Sequence, residues 1–242
     1  MSPPGRAPAG PAGGFSVAEA LVALLLGCLV VGVALTTLAR QRAVQSELTA
    51  RAERLGAARL ARHLLGWELR AARGGGAYSV GPDSLALRAY RGVGLVCSGE
   101  RGPRELWVAA SGVRAADPAK DSVELLLESG ATAVLGLEAR EGSGRRCGAS
   151  PDALERWTLS APLPAGVVMV RWFERGSYHL SGGALRYRRG LAGRQPLTSE
   201  VVRLPESSFV EGASGLRLDL VLGPGRTAAD AWSFVFRGAP GG

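Results

Sequence analysis

The stretch AGGFSVAEALVALLLGCLVVGVALTTLARQR, residues 12–42, decides how the chain is organised. Residues 20–39 within it carry no charge. As a helix rising about 1.5 Å per residue, that run reaches about 30 Å, the hydrocarbon thickness of a bilayer. It predicts a membrane-spanning helix. A secretory signal peptide would have a shorter apolar run of about 7–15 residues, ending at small residues such as Thr37-Leu38-Ala39. Here the run is longer, and a helical pattern continues beyond it.

Toward the amino terminus, residues 1–14 (MSPPGRAPAGPAGG) are rich in Pro, Gly and Ala and carry one charge, Arg6. Such a segment cannot bury a face and reads as a leader peptide. Between leader and apolar run stands Glu19. A carboxylate at a membrane edge is costly unless paired, which marks it as a candidate functional residue. No Lys or Arg occurs between Arg6 and Arg40, so no cation on the helix reaches it. A cut after Gly14 would create one, the free amine of Phe15, in the same chain or a neighbouring one.

Toward the carboxyl terminus, Val44, Leu48, Ala52 and Leu55 form one apolar stripe, and Leu60, Leu64, Trp67 and Ala71 another, both at helical spacing. Glu47 before Arg51 adds an i,i+4 pair. The stripes shift register across Gly56, which argues against the sustained heptads of a coiled coil. Gly74-Gly75-Gly76 should end the helix. Residues 15–39 are therefore expected to be the transmembrane part of a stem helix, and residues 40–73 its amphipathic part.

From residue 84 the pattern changes to short runs such as SLALRAY, GLVCSG, ELWVAAS, VVMVRWFE and EVVRL, rich in β-branched and aromatic residues and separated by Gly, Pro and Ser. SYHLS and ALRYRR flank Gly182-Gly183, a two-residue hairpin turn. No nucleotide-type βαβ spacing appears. The expected fold class is α+β: a long N-terminal helix covering one face of a mainly antiparallel sheet domain, residues 74–242.

Gly14-Phe15-Ser16-x-x-Glu19 followed by about 20 apolar residues resembles the N-terminal signal of type IV prepilins and pseudopilins. The resemblance implies cleavage between Gly14 and Phe15 by a prepilin peptidase, N-methylation of Phe15, and a filament-assembly role for Glu19. Residues 177–204 are also similar to a segment of PilW-type minor pilins and GspJ-type pseudopilins, through Tyr178, Leu180, Leu185, Arg186, Pro196, Leu197, Val201 and Leu204. The implied protein is a minor pilin or pseudopilin. It would be a subunit of a type IV pilus or type II secretion filament, single-pass in the bacterial inner membrane, with a pilin-like fold and its C-terminal domain in the periplasm. Its partners would be prepilin peptidase, other pilins and membrane lipid. The chain departs from the common pattern in lacking a proline in the apolar run and in having one basic residue in its leader. Arg40, Arg42 and Arg51 after the run, against Arg6 before it, would by themselves place the C-terminal domain in the cytoplasm; the resemblance implies the opposite.

The chain has 242 residues and is 46% hydrophobic, enough for one span and one domain of ordinary size. Its net charge of +8 comes from 29 basic against 21 acidic residues, all the basic ones Arg except Lys120, scattered among acids. This distribution does not argue for nucleic acid. The group Arg186, Arg188, Arg189 and Arg194 around Tyr187 reads as a solvated hairpin tip, with phosphate contact as the alternative. An adhesin or DNA-binding pilin is thus the second reading, and a tethered enzyme a more distant one. Only His63 and His179 supply imidazole, no G-x-S-x-G, Walker or G-x-G-x-x-G motif occurs, and no metal or cofactor is expected. Trp67, Trp107, Trp157, Trp172 and Trp232 read as core or interface residues. If the domain lies outside the cytoplasm, Cys97 and Cys147 form the natural disulfide, closing a loop of about 50 residues worth roughly 4 kcal/mol. In a cytosolic domain they would be free thiols, and Cys28 would stay unpaired in the span.

Overall fold

The computed structural model describes residues 16–72, 78–97, 102–146, 153–212, 215–223 and 230–236. Helix α1 (Val17–Ala71) is continuous over 55 residues, passing through Gly56 without a break. Two compact units divide the chain at Ala52/Glu53. The first is described over residues 16–52, all but Ser16 belonging to α1. The second contains the rest of α1 and all the strands.

The strands are β1 (Tyr78–Gly81), β2 (Ser84–Cys97), β3 (Glu105–Gly112), β4 (Asp121–Leu127), β5 (Thr132–Arg146), β6 (Ala153–Leu159), β7 (Val167–Ser181), β8 (Ala184–Arg189), β9 (Gln195–Pro196), β10 (Ser208–Gly212), β11 (Gly215–Leu222) and β12 (Asp230–Phe236). All pairings are antiparallel, in a nine-stranded sheet and a separate sheet of order β10-β11-β12. The larger sheet is not a simple face for the helix. Because β2 pairs with β7 as well as with β3, the ring β2-β3-β6-β5-β4-β7 closes into a six-stranded barrel. Such closure removes edges that would otherwise be open.

Two long strands make this possible. The second half of β2 (Gly92–Cys97) pairs with β3, while its first half pairs with β1. The first half of β7 pairs with β4, and Gly176–Ser181 pairs with β8. SLALRAY and GLVCSG, expected as separate strands, are thus one, as are VVMVRWFE and SYHLS. A glycine inside a strand marks a bulge or a close approach, and the register of β2 against β7 shifts between Tyr90 and Gly92. β1 and β10 lie outside the expected strand runs. EVVRL is not a strand but an isolated bridge, Val202 to Leu222, followed by a short 3-10 turn, since Pro205 cannot donate to a ladder. The hairpin at Gly182-Gly183 is present, with φ of 56° and 71°, as a type I′ turn requires.

Two apolar cores result. The barrel interior holds Leu106, Val108, Val123, Leu125, Trp157, Leu159, Val170 and Trp172, with the two tryptophan rings edge to face at 5.4 Å. The other core joins the end of α1 to β2, β7, β8 and the small sheet, where Leu216, Leu218, Leu220 and Leu222 alternate inward along β11.

The face that α1 buries differs from the expected one. Ala57, Ala58, Ala61, Leu65 and Glu68 are buried, whereas Leu60 and Trp67 are 40% and 41% exposed and Val44 and Leu48 lie open. Leu55, Leu64 and Ala71 of the expected stripes are half-buried, Leu64 against this core; alanine lets a helix backbone approach a sheet closely, so the buried face is rotated by about one position from the one that large apolar side chains select. Gly74–Gly76 lie outside the described residues; the helix ends at Ala71, before them.

Candidate functional site

At the start of α1 the expected unpartnered acid has a local partner. The Ser16 backbone N–H donates to Glu19 Oε2 at 2.9 Å, and the Glu19 N–H donates to Ser16 Oγ at 3.2 Å. This is a capping box, which satisfies two otherwise orphaned donors and places a negative charge at the positive end of the helix dipole. Sequence reading looked for a cation and missed the S-x-x-E signal that was in plain view. Glu19 Oε1 accepts no bond among the described residues, so one oxygen remains available to a cation. Gly14 and Phe15 lie outside the described residues.

Beyond the cap, the apolar side chains from Val17 to Leu38 are exposed, and the helix is long and apolar enough to span a membrane. Its hydroxyls are satisfied internally: Thr36 Oγ1 and Thr37 Oγ1 donate to the Val33 carbonyl at 2.9 and 2.8 Å, as a segment in lipid requires. Cys28 is a free, exposed thiol on this segment.

The second charged feature lies between the two cores of the β domain. Along β7, Val170 and Trp172 face the barrel interior, Tyr178 and Leu180 face the helix core, and Glu174 stands between them. Arg91 Nε and Nη2 donate to Glu174 Oε1 at 3.1 and 2.9 Å, and Arg91 Nη1 donates to Glu68 Oε1 at 2.9 Å. One guanidinium therefore bridges the stem helix and the barrel wall. Tyr187 Oη donates to Glu174, Tyr178 Oη to Glu68, and Arg114 joins Glu174 to Asp121 with bonds of 3.1, 2.6 and 2.6 Å. All three carboxylates are at most 5% exposed.

A neighbouring cluster holds the helix end. Glu124, 2% exposed, accepts from Tyr90, Arg88 and Arg171. Arg171 lies over the Tyr90 ring at 4.1 Å and donates to the Ala71 carbonyl at 3.2 Å, a cation where the helix dipole is negative.

Burial and hydrogen bonding act in opposite directions on these acids. Burial raises the Glu68 carboxyl above its ordinary range despite Arg91 beside it, and its Oε2 is buried without a partner among the described residues. Glu174 is also penalised by burial, but the combined bonds from Tyr187, Arg91 and Arg114 hold it below the ordinary range. Every acid here is buried against arginine, an arrangement that suits a structural clamp.

Ser177 Oγ and His179 Nε2 are 2.9 Å apart on one face of β7, and burial depresses the His179 pKa, but no carboxylate bonds the ring among the described residues. His63 is exposed on α1. Arg188, Arg189 and Arg194 flank the β8–β9 hairpin connection, with Arg189 and Arg194 exposed as expected of a tip, whereas Arg186 and Tyr187 lie back along β8. Arg186 donates to the Ser181 carbonyl, Arg188 to the Ala192 carbonyl, and Tyr187 turns inward to Glu174. Among the described residues no set of three or more His, Cys, Asp or Glu is placed to hold a metal ion. Cys97 is buried against Ala109 and Leu154, while Cys147 lies outside the described residues.

No protein-family model matches the chain, and neither the curated proteins nor the solved structures contain a significant match.

Proposed function

We propose that the chain is a minor pilin or pseudopilin, anchored in the bacterial inner membrane by the first part of α1 and incorporated through that helix into a type IV pilus or type II secretion filament. The observation that carries the reading is Glu19, at the third position of an exposed apolar helix directly behind Gly14-Phe15. An antiparallel β-rich domain following such a helix supports it. In this reading prepilin peptidase cuts after Gly14, the new Phe15 amine is methylated, and Glu19 Oε1 meets that amine or a neighbour's as subunits pack. The β domain would then lie outside the cytoplasm, where Cys97 and Cys147 pair. Arg146, the described residue next to Cys147, is opposite Ala153, and Leu154 packs on Cys97, which favours that pairing.

Mass spectrometry of the protein from its native membranes tests the processing: the mature chain should begin with N-methylated Phe15. A chain that retains residues 1–14, or one that begins at Arg40, would overturn it. The role of Glu19 is separable from its cap. Gln keeps the reciprocal bonds of a capping box but not the charge, whereas Ala loses the charge and the bond from the Ser16 N–H and keeps only the backbone bond to Ser16 Oγ. Glu19→Gln and Glu19→Ala should both fail to enter filaments, with the β domain folded; normal incorporation of Glu19→Gln would leave the residue as a cap alone.

A further inference from the structure

One surface of the β domain is built like a receptor for an extended chain. Arg54 Nε bonds Asp230 at 2.8 Å, and Gly66 lies beside the Phe236 ring. The helix advances about 18 Å between Arg54 and Gly66, and β12 about 20 Å between Asp230 and Phe236. Helix and strand therefore run side by side. Between them is an open groove of about 540 Å³.

Five consecutive residues, Trp232 to Phe236, line the groove. Trp232, Phe234 and Phe236 face the helix core and Ser233 and Val235 the other side, so a space touching all five reaches from the helix-facing side to the edge of β12. Among the described residues that edge is unpaired: β12 pairs with β11 alone, and none of its backbone groups bonds outside its sheet. Trp232 and Phe234, stacked at 6.3 Å, are half-buried against the helix core and turn their remaining exposed rims to the groove as an apolar surface. On the helix side Gly66 leaves width, flanked by Arg62 and Arg70, both exposed. Among the described residues Arg62 has no partner, Arg70 bonds only the Gly66 carbonyl, and the lining contains no acid.

We infer that this groove binds an extended peptide segment of a partner protein that carries carboxylates alternating with apolar side chains. The segment adds as a strand to the free edge of β12, its carboxylates meeting Arg62 and Arg70 and its apolar side chains covering the aromatic rings. Strand addition draws affinity from main-chain bonds and specificity from alternate side chains. The inference does not depend on the filament reading.

The test uses the full chain in a non-ionic detergent and a fluorescein-labelled heptapeptide alternating glutamate and valine, read by anisotropy. Two control peptides carry lysine for glutamate, or methyl groups on alternate backbone nitrogens. Saturable binding is expected for the glutamate peptide, at least tenfold weaker for both controls and for the Arg62→Glu/Arg70→Glu variant. Both arginines are exposed, and unchanged circular dichroism will confirm that the variant is folded. Gly66→Trp, which fills the groove from the helix side, should also abolish binding. No saturable binding, or binding that survives either charge reversal or N-methylation, overturns the proposal. So does a dimer of the chain that occludes the groove and is dissociated by the double reversal, which would assign the site to a second copy.

Discussion

Arg91→Met is expected to cost about 3–5 kcal/mol, because it leaves Glu68 and Glu174 buried without their shared cation. For a domain of this size the melting temperature falls by about 10 °C. Methionine fills much of the arginine stem's volume, so most of the loss reflects charge and not a cavity. The pH dependence makes the cause visible. In the wild type, Glu174 is held below its ordinary range, so its contribution is present above the ordinary carboxylate pKa and is lost as pH falls through the folded value. Glu68, held above its ordinary range, contributes in the opposite sense: its share is present below the ordinary pKa and lost as pH rises through the folded value. Without Arg91 both acids lose their main bonding cation and move upward. The variant then binds more protons folded than unfolded, and its stability falls as pH rises from about 5 to 8. Thermal melts across that range should therefore show the gap to wild type widening toward pH 8. A gap that is constant with pH, or a cost below about 1 kcal/mol, would mean that the bridge is not a clamp.

What could be read from the residues, and what could not, follows from how local each feature is. The long apolar helix and its continuation, the Gly182-Gly183 hairpin and the antiparallel β-rich character are carried by neighbours in sequence, and each was legible. The barrel was not, because its closure depends on β2 meeting β7, with Gly92 opposite Trp172, and no pattern within either strand announces the partner. The ionic layer was hidden for the same reason: Arg91 meets a carboxylate 23 residues earlier and another 83 later. On the helix, Ala57, Ala58 and Ala61 form the contact face through their small size, a signal that hydrophobic weighting discounts. Glu19 shows the converse: the capping box was local and legible, but the question put to that residue was about a distant charge.

Gly92→Ala should be the most damaging single methyl addition in the domain. Gly92 lies in one cross-strand row with Gly112 on β3 and Trp172 on β7. A Cβ at Gly92 would fall inside the space of the Trp172 ring and 2.7 Å from the Ser111 carbonyl oxygen. Neither neighbour has room to yield. Trp172 is 1% exposed and wedged against Trp157, and Ser111 is held in the β2–β3 ladder of the barrel wall. Overpacking a rigid core costs about 1–3 kcal/mol; the simultaneous clash with ring and backbone places this variant at about 3 kcal/mol or more, read as lost near-ultraviolet ellipticity and a lowered melting temperature. A double-mutant cycle identifies the ring's share. Trp172→Phe removes the atoms nearest the added methyl, so Gly92→Ala should cost at least about 1 kcal/mol less in that background than alone, as expected for residues in contact. Additive costs, or a Gly92→Ala protein that melts like the wild type, would show that β2 and β7 do not meet at this row and that the barrel is open there.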